Sequence, residues 1–373
     1  MAKNVGILTA GSDCPGLNAT IRGFGKAARG THAMNLVGFR DGFRGLLQDE
    51  TIDLGGDALS NILTAGGTIL GTSRDVPHEF EENGKTVDKT DQAADVYQSH
   101  KLDALVCIGG RETQGAALRL REAGLNVITL PKSADNDVPK TDATIGFDTA
   151  KDIATEAIDR LHSTANSNHR IIIVEIMGRD VGWLTLGAGL AAGADVILIP
   201  EIPYSIDKIS KAILDRNKAS KMFSIVAVAE GANSSELVAF FERSLKINRK
   251  VHEGEEQENS KERMMLLKKK YTGQTLLLAN RLEEITGIES RITILGYLLR
   301  GGAPSASDRV LATYLGTRAA DLVAEGQFGV MVGYQNESAV CIPLEEVVGM
   351  GKTIPLNHPW IRSARHVGVV FGD

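Results

Sequence analysis

The sequence predicts an α/β protein in which largely parallel sheets are flanked by helices. Short apolar runs alternate with helix-like stretches almost throughout the 373 residues. Many of the 40 glycines fall at the apparent strand-to-helix turns. This alternation is typical of βαβ units, whose crossover helices cover a parallel sheet. The length suggests roughly two domains, and a break near residues 150–165 would separate them.

The composition indicates which kinds of binding partner and which cellular compartment to expect. Hydrophobic content of 43% is ordinary for a globular protein, and the net charge of −6 predicts no bulk attraction to nucleic acid or to a membrane surface. Cys14, Cys107 and Cys341 are scattered and odd in number, which argues against a disulfide framework or a zinc site. Because we find neither a membrane-spanning apolar run nor a signal-peptide pattern, we expect a cytoplasmic protein.

Three glycine-marked loops occur in the first part of the chain. The strand at residues 5–8 leads into residues 11–19 (GSDCPGLNA), and a second loop, at 66–74 (GGTILGTSR), ends in an arginine suited to clamping phosphate oxygens. The third, at residues 109–113 (GGRET), separates a buried strand from a helix. Backbone N–H groups and helix N-termini at such turns can cradle a phosphate. The Walker and dinucleotide spacings are both missing from the first loop, so an ordinary tight turn explains it equally well.

The most informative stretch is residues 131–137 (PKSADND). It follows the apolar strand at residues 126–130, and its proline ends the hydrogen-bond ladder of that strand. Ligands bind at the carboxyl ends of strands in open parallel sheets. There, one of the carboxylates Asp135 and Asp137 could take a proton from a hydroxyl while the other holds a metal or orients the first. A polar loop with an Asx-turn is the alternative interpretation.

The alternation of strands and helices continues through the rest of the chain. Glycine follows two of the later strands closely, in residues 177–180 (MGRD) and in Glu230-Gly231. The acidic and lysine runs of residues 246–270 instead predict a mobile charged insertion or a solvated helix. Further helices are predicted at residues 149–164, 183–192, 206–221, 274–286 and 306–325, and further strands at 171–176, 196–199, 224–229, 291–295, 330–333 and 341–344.

These motifs together resemble the phosphofructokinase family, nearly from end to end. The resemblance implies two similar α/β lobes with the active site in the cleft between them. It also implies transfer of a terminal phosphoryl group to the 1-hydroxyl of fructose 6-phosphate. The expected domains are a donor-binding lobe at 1–160, a sugar-phosphate-binding lobe at 161–330, and a segment at 331–373 that packs back on them. The motifs that carry the resemblance are residues 11–19, 66–74, 109–110, 131–137, 146–150 (GFDTA), 177–179, 230–231, 289–291 (ESR), 295–297 (LGY) and 300–302 (RGG).

The resemblance implies a role for each matching residue. Asp135 matches the catalytic base of the family and Asp137 its acidic neighbour, and Lys132 and Arg179 complete the expected catalytic set. Arg170 and Arg291 match arginines that contact the 6-phosphate in a neighbouring subunit, which implies a homodimer or homotetramer with shared active sites. The expected sugar-phosphate contacts are Ser133, Arg170, Met177, Gly178, Arg179, Glu230, Arg291, Tyr297 and Arg300.

The residues at the expected donor side favour pyrophosphate, with ATP as the alternative donor. In the family, glycine at position 112 leaves room for ATP, whereas an acidic residue there and a lysine at position 132 go with pyrophosphate. Glu112 would repel the α-phosphate of a nucleotide, and Lys132 can neutralise a phosphate that carries no adenosine. Mg²⁺ is the implied cofactor, and its expected ligand is Glu112, with Asp135 and Asp137 as the alternative. The expected donor contacts are Gly11, Ser12, Arg74, Gly110, Arg111, Glu112 and Thr113.

Two departures from the family pattern lie at the donor side. Arg111 stands where an acidic partner of the metal–phosphate complex is usual, and Ser12 stands where a second glycine is usual. Loss of a metal partner can slow phosphoryl transfer by roughly a thousandfold or more. Two alternatives therefore stay open. One is an active kinase with another donor or ketose phosphate, and the other is a catalytically impaired sugar-phosphate-binding or regulatory homologue.

Overall fold

The computed structural model describes residues 2–239 and 274–373, and the predicted α/β architecture is confirmed there. The charged segment at residues 246–270 lies outside the described residues. The strands are β1 (Asn4–Thr9), β2 (Asn35–Phe39), β3 (Thr51–Asp53), β4 (Phe80–Glu82), β5 (Lys85–Val87), β6 (Ala104–Gly109), β7 (Val127–Pro131), β8 (Ile171–Ile176), β9 (Val196–Leu198), β10 (Ser224–Ala229), β11 (Ser290–Ile294), β12 (Val330–Gln335) and β13 (Ser338–Pro343). The helices are α1 (Leu17–Gly30), α2 (Phe43–Gln48), α3 (Thr90–Ser99), α4 (Arg111–Glu122), α5 (Phe147–Asn168), α6 (Trp183–Ala191), α7 (Ile206–Lys218), α8 (Gln274–Thr286), α9 (Ala306–Glu325) and α10 (Pro359–His366).

The chain forms two compact units. The first contains Met1–Asp152 and Tyr297–Lys352, and the second contains Ile153–Gly296 and Thr353–Asp373. No helix of the described residues is long and apolar enough to cross a membrane.

The first unit is built on a seven-stranded sheet in the order β13-β12-β7-β6-β1-β2-β3. The five central strands are parallel, and β3 and β13 pair antiparallel at the two edges. Every residue of β6 and β7 is buried, as is typical of a parallel sheet covered on both faces. Because parallel strands end at the same edge, the loops after β1, β6 and β7 are brought side by side.

The second unit contains a four-stranded parallel sheet in the order β11-β8-β10-β9. Its core is formed by β-branched residues of the strands and by apolar residues of α7 and α8, including Ile173, Val226, Ile209 and Leu282. The neighbouring strands β8 and β10 end together, so the loops that follow them lie next to each other.

Residues 297–352 belong to the first unit, which differs from the expected lobe at residues 161–330. The cause is long-range pairing: β12 runs parallel to β7, with Val330 opposite Ile128, and α9 packs against α1. Neither contact has a local signature in the sequence.

The packing of α1 against α9 depends on glycines that let the two backbones approach. A β-carbon on Gly23 would lie 2.8 Å from the Cα atom of Thr313, and one on Gly316 would lie 2.7 Å from the backbone nitrogen of Phe24. Both distances are too short for real atoms, so a larger residue at either position must push the helices apart.

A buried carboxylate joins the N-terminus of α5 to α9. Asp308 is 1% exposed and accepts hydrogen bonds from the backbone nitrogens of Gly146 and Thr149 at 2.9 and 2.8 Å, and from the Thr149 hydroxyl. These are N–H groups that a helix cannot satisfy internally. Ser305 caps α9 in turn, and its hydroxyl donates to Asp148 at 2.9 Å. Burial raises the pKa of Asp308, and the hydrogen bonds from Thr149 and Gly146 oppose that rise.

We predict that Gly23→Ala lowers the free energy of unfolding by about 1–3 kcal/mol, because overpacking forces α1 away from α9. Gly30→Ala in the same helix is the matched control, since its added β-carbon meets no atom within 4 Å. We expect the control to be neutral or to gain up to about 1 kcal/mol, because alanine loses less backbone entropy than glycine. Urea denaturation measures both variants, and equal stabilities for the two would contradict the packing argument.

Candidate active site

The loop after β7 holds its two aspartates by a shared hydroxyl. The Ser133 hydroxyl donates to Oδ1 of Asp137 at 2.6 Å and accepts from the backbone N–H of Asp135 at 3.1 Å. Between the aspartates, Asn136 has a left-handed backbone with φ of 53°, which turns the chain sharply. The predicted pair of carboxylates is thus placed at the carboxyl end of a central parallel strand.

Lys132 connects this loop to the loop after β1. Its side chain is 4% exposed, and its ammonium donates to the backbone carbonyl of Ser12. A β-carbon on Gly11 would lie 3.4 Å from this ammonium, so glycine leaves room for the lysine. Burial lowers the pKa of Lys132, whereas the nearby Asp13 and Asp137 carboxylates oppose that lowering.

The loop at residues 66–74 is tied to the loop after β1. The backbone nitrogen of Gly11 donates to Ser73 at 2.7 Å, and the Thr72 hydroxyl donates to the Gly11 carbonyl at 2.7 Å. The exposed Arg74 donates to the Ser12 hydroxyl at 3.1 Å. Ser12 therefore contacts both Lys132 and Arg74, through its carbonyl and its hydroxyl.

The turn after β6 brings a cation to the aspartates. Arg111 begins α4, and its guanidinium lies 3.8 Å from Oδ2 of Asp137. Glu112 is exposed in the first turn of the same helix, whereas Thr113 is buried. A β-carbon on Gly110 would lie 3.5 Å from the Lys132 carbonyl. All the residues that the sequence predicted for the donor side thus belong to one cluster of loops in the first unit.

The carboxylates of this cluster could supply some of the ligands of a metal ion, and a phosphate substrate and water would supply the rest. In the described residues, no three His, Cys, Asp or Glu side chains are grouped so that they could hold a metal by themselves. Mg²⁺ usually binds one or two carboxylates and completes its octahedron with water and substrate phosphates. Asp135 and Asp137 fit that requirement, although Arg111 beside Asp137 offers no ligand. Glu112 as a ligand stays a prediction.

In the second unit, the loops after β8 and β10 are interlocked. The backbone nitrogen of Gly231 donates to Gly178 at 3.1 Å, and Gly178 has φ of 138°. A β-carbon on Gly231 would lie 1.8 Å from the carbonyl oxygen of Arg179. The exposed Arg179 side chain lies 3.9 Å from the Glu230 carboxylate. Met177 is buried and precedes Gly178 in the same loop, so the structure brings this predicted group together.

The remaining predicted sugar-phosphate residues fall into two places. Arg170 donates to Glu289 at 2.5 Å, and Arg291 pairs with the other oxygen of the same carboxylate. Tyr297 and Arg300 lie in the first unit, where the guanidinium stacks 5.6 Å from the centre of the ring. Tyr297 is 80% exposed.

Two side chains to which the sequence analysis gave no role contact these groups. Glu289 forms ion pairs with Arg170 and Arg291, and Lys352 contacts Asn136 in the loop after β7. Glu289 is the first residue of the motif at 289–291, so its nearness to Arg291 is visible in the sequence. Lys352 lies 216 positions from its partner, so no local pattern identifies it.

Comparison with known proteins gives one family. The family described as "Phosphofructokinase" matches residues 4–323. The chain is 53% identical over 373 residues to an "ATP-dependent 6-phosphofructokinase" of Propionibacterium freudenreichii, covering 100% of both. It is 43% identical over 358 residues to a "Pyrophosphate--fructose 6-phosphate 1-phosphotransferase" of Amycolatopsis mediterranei, covering 94% of this chain and 96% of the relative.

Solved structures share the fold. The phosphofructokinase of Pichia pastoris in the T-state matches with a TM-score of 0.77 and 30% identity, covering 93% of this chain and 35% of that longer chain. A pyrophosphate-dependent phosphofructokinase from Marinobacter aquaeolei matches with a TM-score of 0.77 over 100% of this chain and 92% of its own. Its 21% identity supports likeness of fold alone.

We predict that Gly231→Ala displaces the loop carrying Arg179 and weakens fructose 6-phosphate binding about tenfold or more. The reason is that one charged hydrogen bond contributes about 1.5–3 kcal/mol, and 1.4 kcal/mol corresponds to tenfold in affinity. Isothermal titration calorimetry measures the change. Gly115→Ala is the control, because its added β-carbon meets no atom within 4 Å. Wild-type affinity in a folded Gly231→Ala variant would show that this loop does not bind the sugar phosphate.

Proposed function

Because the chain belongs to the phosphofructokinase family, we propose that it transfers a phosphoryl group from pyrophosphate to the 1-hydroxyl of fructose 6-phosphate, giving fructose 1,6-bisphosphate. The observation that carries the proposal is the loop after β7. It presents Asp135 and Asp137 at the end of a central strand, beside Lys132, Arg74 and Arg111. Phosphoryl transfer depends on positioning and on positive charge around the moving group, and this cluster supplies both.

Asp135 is proposed as the general base that takes the proton from the 1-hydroxyl. Asp137 is held in place by Ser133 and by the charge of Arg111. Mg²⁺, when bound with the donor, would neutralise charge that develops on the transferred group. The sugar phosphate is assigned to Arg179 and Glu230, with Arg170 and Arg291 serving a neighbouring subunit of a homo-oligomer.

Pyrophosphate as donor is supported by the shape and charge of the donor side. Lys132 is buried against the Ser12 carbonyl, and Arg74 donates to the Ser12 hydroxyl, so two cations from two other loops contact the loop after β1. That arrangement suits a small, highly charged ligand better than one anchored by a base and a ribose. Glu112 at the start of α4 adds a negative charge where the α-phosphate of a nucleotide would lie. A relative named for pyrophosphate is 43% identical.

ATP is the second candidate donor. A relative named as ATP-dependent is 53% identical over the whole chain, and this full-length likeness favours the nucleotide. The impaired, regulatory alternative rests on Arg111, whose guanidinium occupies the neighbourhood of Asp137. A direct comparison of donors separates all three alternatives.

We predict that the purified protein makes fructose 1,6-bisphosphate from fructose 6-phosphate and Mg²⁺ faster with pyrophosphate than with ATP. Asp135→Asn should lower kcat by about 10²–10⁴-fold, which is the usual contribution of a general base, and leave fructose 6-phosphate binding intact. A coupled assay measures product, and calorimetry measures binding. Turnover with ATP alone would reverse the donor assignment. Binding of the sugar phosphate without turnover would favour the regulatory alternative.

We predict that Glu112→Gly raises the ratio of kcat/KM for ATP to kcat/KM for pyrophosphate by about tenfold or more, because repulsion of about 1.4 kcal/mol is sufficient for that change. Glu122→Gly, at the other end of α4, makes the same substitution at another exposed position and controls for helix propensity. The ratio is measured by steady-state kinetics with each donor. An equal ratio in both variants would exclude Glu112 as a donor-selecting residue.

A further inference from the structure

Lys352 contacts the backbone and side chain of the loop that carries the two aspartates. Its ammonium donates to Oδ1 of Asn136 at 2.8 Å and to the carbonyl of Asp142 at 2.9 Å. Asn136 stands between Asp135 and Asp137 in the chain. Lys352 therefore acts on the residue whose backbone joins both carboxylates.

Asn136 adopts a left-handed backbone conformation, with φ of 53°. Asparagine enters this region more readily than most residues, and its side-chain hydrogen bonds select the conformation. It is 4% exposed, and its amide nitrogen donates to the Asp142 carbonyl at 3.2 Å. The side-chain oxygen accepts from Lys352, so each side of the amide has a partner. Loss of the lysine would leave this buried oxygen with the longer hydrogen bond from the Thr144 hydroxyl, at 3.4 Å, in place of the shorter one.

The Asp142 carbonyl is a firm point of attachment. The backbone nitrogen of Asp142 donates to Tyr334 in β12 at 2.7 Å, and its carboxylate accepts from the backbone nitrogen of Asn336 at 2.9 Å. Because β12 is part of the seven-stranded sheet, Lys352 links Asn136 to a rigid element. The link has few alternative geometries, since the ammonium serves two acceptors that are themselves held.

We propose that Lys352 is a positioning residue, which holds Asn136 in its left-handed conformation and so fixes the directions of the Asp135 and Asp137 carboxylates. The inference rests on the proposed function, in which Asp135 takes a proton from the sugar hydroxyl. In this scheme Lys352 acts through Asn136 and the Asp142 carbonyl. It acts on the rate of the chemical step and leaves the phosphate-binding cations in place.

The test compares Lys352→Met, Lys352→Arg and Lys140→Met by steady-state kinetics. Lys352→Met keeps the aliphatic stem and should lower kcat about tenfold or more, because a misplacement near 1 Å can cost on the order of 10²-fold. KM for both substrates should stay within about threefold of wild type, and Lys352→Arg should recover most of kcat. Lys140→Met is the control, because Lys140 lies between β7 and α5, as Asn136 does. Its ammonium lies 3.9 Å from the Glu346 carboxylate. The proposal would be overturned if Lys352→Met raised KM and left kcat unchanged. It would also be overturned if Lys140→Met lowered kcat by the same factor.

Hydrogen–deuterium exchange gives a readout that does not need turnover. In Lys352→Met, the peptide covering residues 131–146 should exchange faster, while peptides from β1 and β6 should be unchanged. Unchanged exchange of that peptide would overturn the positioning role. If the wild-type protein makes no product with either donor, the proposed function fails, and the exchange result still decides whether Lys352 holds the loop.

Discussion

The buried carboxylate of Asp308 is the interaction on which the geometry of the first unit depends. From the first turn of α9 it caps α5, through Gly146, Thr149 and the hydroxyl of the same threonine. The loop at residues 131–137 is held at one end by the sheet, through β7, and the chain that follows it is held by this cap. The first N–H groups of α5 and α9 have no partners within their own helices, and Asp308 and Ser305 satisfy them. These caps help to position the backbone that carries both aspartates.

The cations of the first unit's loops differ in their partners. Lys132 is buried and donates to the Ser12 carbonyl, so its ammonium lies against the loop after β1. Arg111 shares its charge with Asp137, which makes it part of the aspartate group. Arg111 therefore places a positive charge next to a carboxylate of the loop after β7.

The sequence was sufficient to predict most strands of the two larger sheets and the main helices, but not the edge strand β3 or the β4–β5 hairpin. The spacing of apolar residues, the positions of glycines and the end of β7 at Pro131 are all visible within a few residues of sequence. Parallel strands bring their carboxyl ends to one edge of the sheet, whatever the loops contain. The meeting of the loops after β1, β6 and β7 followed from that rule, whereas the place of Arg74 beside them was implied by the family resemblance. The pairing of Arg170 with Glu289 and the placement of residues 297–352 in the first unit did not follow, because each depends on segments far apart in the chain.

The amino-acid sequence by itself determined the α/β class, the family and which residue types lie at the carboxyl ends of the strands, because these are set by patterns only a few residues long. Tertiary structure alone decided which of those residues touch: Arg111 with Asp137, Asp308 with Thr149, and Lys352 with Asn136. Hydrogen bonds and ion pairs form between atoms within about 4 Å of each other, and only the packed fold brings distant positions that close.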